Sequence, residues 1–152
     1  MTSTKKNLDK KDWLLLVIAA AKGESVSPVQ LQKALFLVGR TVDRHQLRCK
    51  SFYDFRPYDY GPFDSNIYRD AERLQEEGSI IITAPSTRTY REYLVTATGL
   101  ETARSINNQL DPSTQDFLER VVKWVRSLSF SALVRAIYRA YPEMKVNSVF
   151  QG

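Results

Sequence analysis

Residues 13–21 read WLLLVIAAA, nine apolar residues in a row between Lys10-Lys11-Asp12 and Lys22-Gly23. The run falls well short of the ~18 residues that a membrane span requires. Its start also lacks the layout of a secretory signal. As a helix over about 11–22 it would be apolar almost all round, so only the centre of a folded domain could bury it. Gly23 is placed to end it. At 152 residues the rest of the chain makes one domain around that helix, burying roughly 68–70% of the surface its unfolded form exposes. With one cysteine, Cys49, no intramolecular disulfide can form, and the chain reads as cytoplasmic with no membrane partner.

The remaining pattern alternates caps, helices and one polar-tipped hairpin. Residues 1–9 (MTSTKKNLD) have no periodicity and read as a basic, flexible tail. Ser27-Pro28 opens a second helix to about 42, with Leu31, Leu35, Val38 and Val42 inward. Residues 52–55 suggest a short strand. Pro57 and Gly61-Pro62 then punctuate the chain ahead of a helix from about Asp64 to Gly78. SIIIT (79–83) and EYLVT (92–96) flank APSTRTYR as a hairpin. Thr98 and Glu101 have capping-box spacing for the next helix. Asp111-Pro112 and Ser129 open two more, and Pro142 ends the last. The expected fold is α+β and mostly helical. It has a winged-helix-like core over about 10–96 and a C-terminal helical extension over about 97–142, within one domain spanning 10–152.

Charge is distributed unevenly. Residues 1–56 balance to +6, residues 57–103 to −4 and residues 104–152 to +3. A winged-helix DNA reader would use the third long helix and the hairpin tip, here Asn66, Arg69 and Arg73 with Arg88 and Arg91. Those residues lie in the acidic third of the chain, among Asp70, Glu72, Glu76 and Glu77, where phosphates would be repelled. Basic ends, including Arg40, Arg44, Arg48 and Lys50, offer a further route to DNA.

The residues give little support to catalysis. His45 and Cys49 would share a helix face, yet they lie in a charged segment without an apolar shell to shape a pocket. Two N/S ligands are too few for structural zinc. Asp54, Asp59 and Asp64 recur every five residues, but one would sit on a strand and another at a helix start. The sequence therefore implies no enzyme, no catalytic residue, no metal and no cofactor.

The most unusual composition is in YDFRPYDYGPFDSNIYRD (53–70), where four tyrosines and two phenylalanines surround Gly61-Pro62. Rings with polar tips suit either the edge of a core or a protein interface. As an interface the face would comprise Tyr58, Tyr60, Phe63 and Tyr68.

Here the chain resembles a family. LQKALFLVGR (31–40), followed by PYDYGPF (57–63) and a helix ending in Leu74-x-x-x-Gly78, is similar to the Panacea-type domain. The resemblance covers about 13–82, and LVTATGLETA (94–103) and SFSALVRAIYRAYPEM (129–144) are similar to the tails of stand-alone members. Ala34 and Phe36 stand where that helix more usually shows Leu and Tyr, and Phe63 replaces a smaller aliphatic residue. The resemblance implies a non-catalytic protein of phage-associated or toxin–antitoxin operons. Such a protein binds a protein partner, with a toxin from an adjacent gene as one candidate. The alternatives are a DNA-binding regulator, and an assembly subunit that forms a homodimer through the helices carrying Trp124 and Tyr138.

Overall fold

The computed structural model describes residues 7–152, so most of the expected basic tail (1–6) lies outside the described residues. Leu8 is already part of the core, and its amide donates to the Arg48 carbonyl at 2.7 Å. Asp9 precedes α1 (Lys10–Ala19) and donates its N–H to the Asp12 carboxylate at 2.9 Å, which fixes the helix start. Every residue of α1 from Trp13 onward is buried. The indole of Trp13 donates to the Leu47 carbonyl at 2.8 Å, which pairs the one polar atom of that ring inside the core.

Most of the remaining helices pack directly on α1. α2 (Pro28–Thr41) begins with a reciprocal cap between Ser27 and Gln30 and buries Leu31, Leu35 and Val38 as expected. A single turn, α3 (Arg44–Leu47), is capped by Asp43 and broken by Arg48 at φ 54°. α4 (Asn66–Glu76) turns its Ile67, Ala71 and Leu74 inward. β3 (Ile80–Thr83) and β4 (Glu92–Val95) form an antiparallel hairpin with Ile80 opposite Val95 and Thr83 opposite Glu92. Tyr93 of β4 also exchanges both backbone hydrogen bonds with Val26, at 2.9 Å each. α5 (Ala97–Asn107), α6 (Pro112–Ser127) and α7 (Phe130–Ala140) follow, and a 3-10 turn (Pro142–Lys145) closes the described chain's last helical stretch. The protein is α+β and mostly helical. No helix among the described residues is long and apolar enough to cross a membrane.

Three local expectations are corrected. Residues 52–55 run without strand pairing, and the strand lies further on: β1 (Arg56–Tyr58) pairs antiparallel with β2 (Gly61–Phe63) around a two-residue turn. The Gly-Pro elbow is therefore a β-hairpin, and Gly61 at φ +103° supplies the left-handed backbone its turn requires. The cap of α5 is Thr96, whose hydroxyl accepts the Gly99 N–H at 3.0 Å, rather than Thr98. The reason is contact with β3. A Cβ on Gly99 would sit 1.9 Å from the Ser79 carbonyl oxygen, so α5 must start where glycine meets that strand end.

Candidate functional site: the aromatic hairpin

The β1–β2 hairpin is held from below by buried amide groups. Gln32 on α2 accepts the Asp64 N–H at 3.0 Å and donates to the Asp64 carbonyl at 3.1 Å. The Asp64 carboxylate accepts the N–H groups of Asp54 at 2.8 Å and Asn66 at 2.9 Å, tying the approach to the hairpin to the start of α4. One turn into α4, the buried Asp70 accepts from the Tyr53 hydroxyl at 2.7 Å. Burial, and then that hydrogen bond, push the Tyr53 phenol far above its ordinary range, so it stays a donor.

From above, the C-terminal residues strap the hairpin. The Val149 N–H donates to the Asp59 carbonyl at 2.9 Å, the Ser148 hydroxyl to the same oxygen at 3.2 Å, and the Asn147 amide to the Pro57 carbonyl at 3.2 Å. Ser148 in turn accepts from the Tyr138 hydroxyl at 2.6 Å. The hairpin therefore presents its rings from a braced backbone.

The four aromatic residues singled out from the sequence divide into two clusters. Tyr58 stacks on Phe63 with centroids 4.8 Å apart, and Phe63 leans on Tyr68 at 5.9 Å. Tyr60 meets Phe130 edge-on at 5.0 Å, and Phe130 continues to Phe150 at 6.1 Å and on to Tyr138. Exposure separates them further. Tyr58 and Tyr60 are 52% and 43% exposed, while Phe63 is half-buried and Tyr68 is half-buried against the core. Burial raises the Tyr68 phenol, partly offset by a hydrogen bond with Gln32. Tyr58 and Tyr60 are thus surface rings, and Tyr68 is mainly a support. Phe130 is 43% exposed at the start of α7 and extends the aromatic face.

The residues of the DNA alternative are exposed but accompanied by acids. Arg73 pairs with Asp70 at 3.4 Å and Arg88 with Glu92 at 3.0 Å. Asn66, Arg69 and Arg73 share the outer side of α4 with Glu72 and Glu76, all exposed. The acids stand one turn or less from each arginine, so a phosphate approaching α4 meets both signs.

The residues weighed for catalysis are placed apart or are unreactive. Because Arg48 breaks α3, His45 and Cys49 are not on one continuing helix. They line a cleft of about 390 Å³ with Arg44 and Gln109. Burial pushes the Cys49 thiol up to about 11, and Sγ donates to the Leu47 carbonyl at 3.3 Å. Such a thiol supplies almost no thiolate at neutral pH. Of the three aspartates, Asp64 is committed to backbone N–H groups and Asp54 pairs with Arg56 at 2.9 Å. Among the described residues no group of three His, Cys, Asp or Glu is placed to hold a metal ion.

No family model matches the chain, and no curated protein matches it.

Two contributors escaped the sequence reading. Gln32 and Lys33 are buried polar residues on α2, the former clamping the hairpin. The signal for Gln32 was available, since it lies one turn before Phe36, on a second inward stripe. Residues 147–150 carried no periodic signal at all.

Proposed function

We propose that the chain is a non-enzymatic protein-binding module, antitoxin- or adaptor-like, that engages its partner through the β1–β2 hairpin. The observation that supports this best is the pair of exposed rings, Tyr58 and Tyr60, on a backbone braced from both sides. Aromatic residues held rigid at a surface are the usual anchors of protein interfaces, because little side-chain freedom is lost on binding. The phage- or defence-linked setting follows from the resemblance of LQKALFLVGR and PYDYGPF to the Panacea-type domain. The mixed charge of α4 disfavours the DNA-binding alternative, in which Asn66, Arg69, Arg73, Arg88 and Arg91 would carry the contacts.

The two readings separate in one experiment. A labelled random 30-mer duplex is titrated with the protein by fluorescence anisotropy between about 50 and 200 mM salt. A protein neutralising about 6–10 phosphates loses on the order of 10³–10⁵ in affinity over that range. The protein-binding reading expects no such binding, together with co-purification of the adjacent gene's product. Duplex binding with that salt slope, weakened by Arg69→Ala and Arg91→Ala, would replace it with the regulator.

A further inference from the structure

The apolar run that forms α1 changes character along its length. From Trp13 to Ile18 its side chains are large, whereas Ala19, Ala20 and Ala21 are small. Both α5 and α6 pack on α1. Where the alanines begin, the space between the two helices stays unfilled, as a groove of about 570 Å³. Leu16, Ala19 and Ala20 line it from α1 and its end, Leu100 and Ala103 from α5, and Leu118 from α6. That volume falls within the ~300–1,000 Å³ of small-ligand sites, which are likewise walled by apolar side chains with a few polar groups among them.

The polar groups of the groove differ in what they have left to offer. Lys22 and Glu119 pair with each other at 3.0 Å, so their charges cancel. Gln115 spends its amide on the Leu110 carbonyl at 2.8 Å. Arg104 and Asn107 lie three residues apart on α5 and line the same groove. Among the described residues neither of these two side chains has a hydrogen-bond or ion-pair partner. The groove therefore joins an apolar floor to one uncompensated positive charge, that of the exposed Arg104, with an amide beside it.

We propose that the groove binds a small carboxylic acid, its apolar chain or ring along the floor and its carboxylate on Arg104 and Asn107. Charge complementarity selects this class. One free guanidinium pairs with one negative charge, and its fork matches the two oxygens of a carboxylate. A phosphate monoester would bring a charge of about −1.5 to −2 close to Glu119, which repels the excess. A bare inorganic anion would bury none of the apolar floor and gain nothing from it. No residue of the groove belongs to the β1–β2 hairpin. The site is thus separate from the protein-binding face, and either can fail without the other.

The test uses protein carrying carbon-13 at the alanine and leucine methyls, titrated near neutral pH with octanoate, with octanol and with acetate, and followed by NMR. Octanoate should move the methyl signals of Leu16, Leu100, Ala103 and Leu118 together and to saturation. Octanol should bind about fivefold more weakly, and acetate should leave those signals in place. Arg104→Gln, an exposed change that keeps the floor intact, should weaken octanoate by about fivefold and leave octanol unchanged. Ala20→Leu, which fills the groove, should weaken both. Equal binding of octanoate and octanol, or octanoate binding indifferent to Arg104→Gln, would overturn the carboxylate. Shifts that spare the groove methyls, or no shifts at all, would overturn the site. If Ala20→Leu fails to fold, the octanol and Arg104→Gln comparisons decide alone.

Discussion

At the scale of single residues, buried polar groups dominate the energetics. Lys33 is a base whose folded value, about 8, lies below its ordinary 10.5. The fold thus disfavours the charged form. Stability linked to this amine is fully present above about 10.5, where both states are neutral, and falls with pH until it is lost below about 8. The shift corresponds to about 3 kcal/mol. Lys33→Met should therefore be more stable than the parent at pH 7. The difference should shrink between about pH 8 and 10.5, as read from urea midpoints across pH. The opposite case is Tyr53→Phe, which removes the donor to buried Asp70. It should cost about 1–3 kcal/mol in urea unfolding, since a buried carboxylate oxygen loses its hydrogen bond. Neither effect could be read from the sequence, which shows a lysine and a tyrosine but not the depth at which the fold sets them.

At the scale of elements, the caps and inward stripes were legible and the pairings were not. Ser27-Pro28, Asp111-Pro112 and Ser129 start α2, α6 and α7 where their chemistry says they should. Thr98 lost its role to Thr96 because contact with Ser79, a tertiary constraint, sets the start of α5. Gly99→Ala should accordingly be far more disruptive than a typical glycine change in a first helical turn. Its Cβ would meet backbone, which cannot step aside, so a loss of about 2–4 kcal/mol is expected in chemical denaturation. In the same way, PYDYGPF was legible as a break but not as a hairpin. The residues that stabilise it, Gln32 and residues 147–150, lie far away along the chain. Deleting residues 147–152 should expose the Pro57 and Asp59 carbonyls and uncover Phe130. Amide exchange should quicken at β1–β2 while β3–β4 stays protected.

At the scale of the whole molecule, the nine-residue apolar run settled the architecture. A helix apolar on every side must be central, and α1 is surrounded by α2, α4, α5, α6 and β4. The aromatic face follows from where that packing leaves the hairpin: clamped from beneath by α2, strapped by the chain's last described residues, and outward at Tyr58 and Tyr60. Composition located these tyrosines, but only packing could separate Tyr58 and Tyr60 from the supporting Tyr68. Exposed rings can be removed with little effect on stability, usually within about ±0.5 kcal/mol. Binding anchors cannot be removed without loss of affinity, typically more than about 2 kcal/mol at a hot spot. The most direct measurement is calorimetric titration of the adjacent gene's product with the parent protein and with the Tyr58→Ala/Tyr60→Ala variant, their melting temperatures recorded alongside. The protein-binding account predicts that the parent binds and that the variant binds at least about tenfold more weakly while melting at nearly the same temperature. Equal binding by the two proteins, or a variant that fails to fold, would contradict it.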